Sequence, residues 1–206
     1  MEIRALNQLL GNIDIYLLDQ LLKERFNKEM LILDAGCGEG RNTHYFIRSG
    51  YQILGVDSNP IAIQMARVTA KTLDPTFDPL RFLVAPVEDL PFHGGAFDVL
   101  ISSAVMHFAD DRTHFEAMLQ EQMRVLKKGG LFWLRTCTDA GGCFSLASGN
   151  EERRQALPDG TERFVFTEKL MKEAMRKYGL TLLEPAKSVL VHGKRAMGVY
   201  LFQKEK

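Results

Sequence analysis

Short apolar runs and helical apolar stripes take turns along this chain. Between residues 12 and 26, Ile13, Leu17, Leu18, Leu21 and Leu22 share one face, and Asp14, Asp19, Lys23 and Glu24 mostly avoid it. That spacing predicts a helix. Met30-Leu31-Ile32-Leu33 is then a continuous apolar run, as expected of a strand buried on both faces, and it ends at Asp34 and a glycine-rich turn. The alternation repeats with a helix over 41–49 closed by Gly50, and a strand at Ile53-Leu54-Gly55-Val56 that ends in Asp57. Asn59 caps a further helix with Pro60 at its first position, continued by Ile61, Met65 and Val68. Strands follow at 81–85 and 97–102. Thr113 to Glu116 has the form of a capping box, and Phe115, Met118, Leu119, Gln122, Met123 and Leu126 carry a helix that Gly129-Gly130 stops. Leu131-Phe132-Trp133-Leu134 is a fifth strand. A helix over 167–178 and two strands near 180–190 and 196–203 complete the pattern.

Strands alternating with helices imply an α/β fold, with a doubly wound, mostly parallel sheet and helices on both faces. The simplest organisation is one domain over residues 1–206, opened by an N-terminal helical cap over 1–28. Residues 139–163 break the rhythm with Gly141, Gly142, Gly149, Pro158, Gly160 and the charge cluster Glu151 to Arg154, within a connection taken as 139–166. Long connections of this kind are often lids or binding loops, so this one is the expected substrate loop.

Composition narrows the function. A chain of 206 residues suits one ordinary domain, and 46% apolar with 25% charged residues argues against a disordered tail or a coiled coil. Lysine plus arginine and aspartate plus glutamate both number 26, a neutral balance that speaks against nucleic acid as partner. No apolar stretch approaches a membrane span, and the charges at Glu2, Arg4, Asp14 and Asp19 do not fit a signal peptide. Cys37, Cys137 and Cys143 are too few and too irregular for a disulfide framework, which points to the cytoplasm.

The candidate chemistry lies in Asp34-Ala35-Gly36-Cys37-Gly38-Glu39-Gly40, between a buried strand and a helix. Glycines there let backbone approach a ligand closely, at the strand ends where open α/β sheets bind ligands. Asp57 ends the next strand, where a carboxylate can accept from both hydroxyls of a ribose; it also suits a helix cap ahead of Pro60. A dinucleotide fingerprint would place its third glycine at position 41, which is Arg41, and no phosphate-cradling G-x-x-x-x-G-K-[ST] segment exists. Asp34 suits a ligand carrying an amine and a sulfonium better than a pyrophosphate.

The segment 34–40 closely resembles the first motif of class I S-adenosylmethionine-dependent methyltransferases. Gly55-Val56-Asp57-Ser58 looks like the second motif, Val87-Glu88-Asp89-Leu90-Pro91-Phe92 the third region, Phe97 to Ser102 the fourth, and Leu126-Lys127-Lys128-Gly129-Gly130 the approach to strand five. The resemblance implies a seven-stranded sheet whose last strand runs antiparallel. It also implies S-adenosylmethionine as cofactor, with S-adenosylhomocysteine as product. Gly36, Gly38 and Gly40 would then pass under the methionyl and ribose parts, with Asp34 near the amine and Arg41 able to pair with the methionyl carboxylate. Asp57 would hold the ribose, Ser58 would lie against the adenine, Val87 would offer backbone to its ring, and Glu88 would reach its edge. Ser102 and Ser103 would face the amine through their carbonyls. Many relatives carry an aspartate for the adenine amino group where this chain has Pro86.

Around this cofactor frame the chain resembles tellurite-resistance and quinone-pathway methyltransferases, which implies a small-molecule methyl acceptor and a monomer or homodimer. The acceptor site is expected between the N-terminal helix, the loop 107–110 and residues 139–166. His107 is the candidate base for the acceptor's nucleophile, or else a partly buried histidine bonded to backbone. Cys37 fits as a small residue of the turn, His114 as a residue of the helix surface, and Trp133 as core. The spacings of His and Cys match no metal site. Two other functions fit the same sheet: a nicotinamide-dependent oxidoreductase, and a protein that binds S-adenosylmethionine without turning it over.

Overall fold

The computed structural model describes residues 2–140, 142 and 153–205. Of the expected substrate loop, residues 141 and 143–152, Cys143 among them, lie outside the described residues. Strands β1 (Leu31–Ala35), β2 (Gln52–Asp57), β3 (Phe82–Val84), β4 (Phe97–Ser103) and β5 (Leu126–Thr138) pair in parallel in the order β3-β2-β1-β4-β5. A short pair, β6 (Gln155–Ala156) and β7 (Glu162–Arg163), stands apart. The last strand, β10 (Arg195–Lys204), runs antiparallel along β5, and β8 (Leu180–Leu182) and β9 (Lys187–Val191) both pair with its outer edge. The sheet therefore has eight strands in seven positions. Where two strands were expected near 180–190 and 196–203 there are three, because β8 and β9 share one edge and are separated by residues 183–186.

The central strands β1 and β4 bury both faces, which is why they read as apolar runs, whereas β3 at the edge leaves Val84 exposed. Leu33, Leu100 and Leu134 enter a core shared with α5 (Arg112–Val125) and α6 (Glu168–Tyr178). Ile32, Ile101 and Trp133 enter a second core on the opposite face, beneath α2 (Ile15–Leu22), α3 (His44–Arg48) and α4 (Pro60–Leu73). Asp98 fastens the starting ends of three strands: its carboxylate accepts from the Leu31 amide at 2.9 Å and from Lys127 Nζ at 2.7 Å. No described helix is long and apolar enough to cross a membrane.

Several expected boundaries moved for identifiable reasons. The expected helix over 12–26 shortens to α2, because Asp14 starts it by accepting from the Tyr16 amide; a separate helix, α1 (Ile3–Leu10), precedes it and ends at Gly11, which turns the chain at φ 62°. The helix over 41–49 shrinks to α3, since Arg41 to Thr43 still belong to the glycine turn. On α4 the buried residues are Ala62, Ile63, Ala66 and Ala70; Ile61, Met65 and Val68 face outward. The capping box at Thr113 does not form, because Asp111 caps α5 from two residues earlier, accepting from the His114 amide at 2.8 Å. Gly129 and Gly130 do not end that helix. It ends at Val125, and the two glycines lie within β5, where the register with β4 shifts and a Cβ on Gly130 would meet the Lys127 carbonyl at 2.9 Å.

Asp14 also forms a buried ion pair with Arg135 of β5, and its amide donates to Asn42 Oδ1 at 3.0 Å. This joins α2, the glycine turn and the sheet at one point. Removing one partner of a buried pair leaves an uncompensated charge. Asp14→Ala should lower unfolding free energy by about 3 kcal/mol in urea melts, and the double change with Arg135→Leu should recover part of that loss.

Candidate functional site

The order of the parallel strands reverses between β1 and β4, and their carboxyl ends frame the crevice where such sheets take ligands. The turn after β1 is held from below. The Val56 carbonyl accepts from both the Gly36 and Cys37 amides, each at 2.8 Å. Gly36 has φ 80°, and a Cβ there would lie 2.3 Å from the Val105 side chain, so no larger residue fits. Gly38 differs: a Cβ on it would meet nothing within 4 Å, and its amide donates to Asp57 Oδ2 at 2.8 Å. Gly40 turns the chain toward Thr43, whose hydroxyl donates to the Gly40 carbonyl at 2.7 Å.

Asp34 is the anomaly of this crevice. It is 1% exposed, and neither carboxylate oxygen has a partner among the described residues. Burial pushes its pKa up to about 7; the Arg41 charge opposes that shift and the Asp57 carboxylate adds to it. Buried orphan acceptors are rare enough to require a reason. A ligand ammonium fits both the missing partner and the missing charge.

Beyond the turn lies a cavity of about 370 Å³. Of the residues expected from the sequence, Gly36, Asp57, Ser58, Val87 and Glu88 line it. Asp57 does not cap α4; Asn59 does, accepting from the Ile61 and Ala62 amides. The Asp57 oxygens accept one amide each, from Gly38 and from Asn59, which leaves lone pairs for a ligand's hydroxyls. Pro86, Ala104, Val105, Phe108, His114 and Met118 complete the lining. Gly38, Gly40, Asp34, Arg41, Ser102 and Ser103 stand around this wall rather than in it. The Ser102 and Ser103 hydroxyls are buried without partners. Arg41 donates to the Asn12 carbonyl at 3.3 Å and leans toward Asp14.

His114 is not a bystander on the helix surface. Because Asp111 caps α5, His114 falls in the first turn on the cavity side, its Nε2 lying 3.5 Å from Glu88. Recognising Asp111 as the cap would have revealed this from sequence. Ala104 adopts φ 61° at the cavity wall, and no sequence signal marks it. His107 lies behind the wall, 6% exposed, with Nδ1 unpartnered. Burial, and then the charges of Arg163, Arg195 and Arg135, push its pKa down to about 4, so its imidazole is neutral at pH 7. The Cys37 thiol is pushed well up by burial, with Asp34 and Asp57 adding to the shift, and it stays protonated. Among the described residues no group of three His, Cys, Asp or Glu is placed to hold a metal ion.

The chain is similar in sequence and fold to known methyltransferases. Residues 33–134 match the family described as "Methyltransferase domain". An uncharacterized methyltransferase of Synechocystis sp. is 31% identical over 103 residues, covering 50% of this chain and 45% of that protein. A ubiquinone biosynthesis O-methyltransferase of Xanthomonas oryzae is 30% identical over 135 residues, covering 65% of this chain and 54% of the relative. The chain thus spans about half the length of the curated relatives it matches. A structure titled as a SAM-dependent methyltransferase from Methanosarcina mazei superposes with a TM-score of 0.71 at 22% identity, covering 90% of this chain and 97% of that one. That likeness shows a shared fold.

The lone carboxylate gives a pH signature. Asp34 ionises near its ordinary 3.8 when unfolded and near 7 when folded, so its contribution to stability is fully present below about pH 4. It is lost as pH rises to 7. Asp34→Asn should therefore match the parent protein at pH 4 and exceed it by about 2–4 kcal/mol above pH 7, read from urea melts across that range.

Proposed function

We propose that the chain is a class I S-adenosylmethionine-dependent methyltransferase that moves a methyl group from S-adenosylmethionine to a small-molecule acceptor by in-line displacement; the match of residues 33–134 to the methyltransferase domain family and the likeness to a ubiquinone O-methyltransferase support this. The observation that carries this is the buried, unpartnered Asp34 carboxylate beside a glycine turn whose outer side is open at Gly38.

In this reading, Gly36, Gly38 and Gly40 run beneath the methionyl and ribose parts, and Asp34 with the backbone at Ser102 and Ser103 faces the amine. Asp57 holds the ribose hydroxyls with the lone pairs that Gly38 and Asn59 leave free. Ser58 lies against the adenine, Val87 offers its backbone to the ring, and Glu88 reaches the edge that Pro86 leaves without an acceptor. Arg41 pairs with the methionyl carboxylate by leaving the Asn12 carbonyl. The bound sulfonium supplies an electrophilic methyl carbon and a neutral thioether leaving group. What remains for the protein is to hold a nucleophile about 3 Å away, in line and dry. His107 is neutral at pH 7 and serves as a hydrogen-bond acceptor that orients the nucleophile. With a pKa near 4 it is too weak a base to deprotonate an unactivated hydroxyl.

The domain is taken as residues 1–206, with 1–28 as cap and 139–166 as substrate loop. The neutral charge balance supports an enzyme that works without nucleic acid, and the cavity of about 370 Å³ supports small-molecule ligands; a cytoplasmic monomer or homodimer is taken with this reading.

Calorimetry with S-adenosylmethionine, S-adenosylhomocysteine and NAD tests this. The first two should bind near micromolar affinity, about 8 kcal/mol, and NAD should not. Asp57→Ala should weaken both by about 10- to 100-fold, the loss of one or two hydrogen bonds to a charged group. Binding of NAD alone would favour an oxidoreductase, and binding of nothing would remove both readings.

A further inference from the structure

Residues 153–166 are fastened onto the loop that follows β4. Arg154 donates to the carbonyls of Phe108 and Ala109 and pairs with Asp110 at 2.8 Å, and the Phe164 amide donates to the His107 carbonyl at 3.0 Å. This brings Arg163 of β7 over the Phe108 ring, with the guanidinium 4.9 Å from the ring centroid. Phe108 is half exposed and lines the cofactor cavity. Arg163 is thus a cation at the mouth of that cavity, next in chain to the backbone that grips His107.

The charges nearby do not balance. Arg135 is neutralised by Asp14, and Arg195 by Asp159 at 3.2 Å. Arg163 donates to the Glu162 carbonyl at 2.7 Å and forms no close ion pair among the described residues; it shares with Arg195 the charge of the single carboxylate Asp159, so two guanidinium groups face one carboxylate. Orphan groups surround the same corner: the Nε atoms of Arg135 and Arg195, Ser103 Oγ and His107 Nδ1 are buried without partners. The two arginine nitrogens are donors only, and a buried donor without an acceptor costs free energy until one arrives. Ser103 and Arg135 are paired across β4 and β5, and Arg195 opens β10, the next strand of the sheet, so these groups lie at the ends of neighbouring strands. An excess cation with unfilled donors is the complement of an anion.

We propose that the methyl acceptor is a small organic acid whose carboxylate is held by Arg163, with Arg195 beside it. This deepens the methyltransferase reading and rests on it. The Arg163 guanidinium, 4.9 Å from the ring centroid, keeps donors beyond the one given to Glu162, and a guanidinium with two such donors receives a carboxylate bidentately.

The test uses the full chain saturated with S-adenosylhomocysteine and, as probes, 4-hydroxybenzoate, salicylate and lactate, each against its own amide. Calorimetry should show at least one acid binding about tenfold or more tighter than its amide. Arg163→Gln should bring each pair within about twofold and Arg163→Lys should restore part of the preference, while affinity for S-adenosylhomocysteine stays unchanged in both variants. Acids and amides binding alike, no acid binding to the saturated protein, or a preference that survives Arg163→Gln would each overturn the proposal. Failure of S-adenosylhomocysteine to bind at all would instead overturn the methyltransferase reading, and that is read in the preceding titration.

Discussion

The carbonyl of Val56 accepts two amides from the turn after β1, and the next residue, Asp57, accepts a third from Gly38. These three bonds tie the end of one strand to the turn of its neighbour. The turn is therefore shaped by the sheet before any ligand arrives. It needs left-handed backbone at Gly36, Gly38 and Gly40, and the Val105 side chain closes on Gly36 so tightly that only hydrogen fits. With its backbone donors drawn toward β2, the turn offers nothing to Asp34, which is left buried without a partner. The ligand site is thus a by-product of how the scaffold satisfies itself elsewhere, and its strongest electrostatic feature is a group the scaffold does not satisfy.

The same logic separates what could be read from sequence from what could not. Buried parallel strands announce themselves because both faces must be apolar, so Met30 to Leu33 and Phe97 to Ser102 were legible, as were the motif at 34–40 and the acid at 57. Helix details were less so. Ile61, Met65 and Val68 are the larger apolar residues of α4, yet the sheet surface takes the small face of Ala62, Ala66 and Ala70, because a helix with alanines at its contact packs closer. Capping misled in the same way: Thr113 and Asp111 are both credible caps, and geometry two residues earlier decided between them. That small slip hid His114, since a helix that starts at residue 112 turns this side chain toward Glu88. Phe108 and Ala104 carry no local pattern at all; they belong to the site through the path of the chain after β4.

The two halves of the crevice differ in how they are built. The cofactor side is backbone geometry plus a few carboxylates, fixed by strands β1 and β2. The other side is assembled from remote pieces: the start of α2, the end of β5, the beginning of β10 and the short β6–β7 pair, joined by arginines. Arg135 and Arg195 each bridge two such pieces, and Arg154 fastens the start of the β6–β7 segment to the loop after β4. This division matches the comparisons, in which the matched family segment, residues 33–134, ends before most of the arginine-rich half begins. Chemistry common to a broad family sits on the sheet, and the part that distinguishes one member sits on what is added to it.

Cys37 illustrates how the turn protects itself. A sulfonium methyl donor is an alkylating agent, and a thiolate is the side-chain nucleophile it would attack most readily. Here a cysteine stands in the very turn over which such a donor would lie. Its sulfur packs inward beside Gly55 and Phe82, and the carboxylates of Asp34 and Asp57 keep negative charge off it. The protonated, inward-facing thiol fills space as a small apolar group would, so a methyl donor lying over this turn would meet no nucleophile in the turn itself.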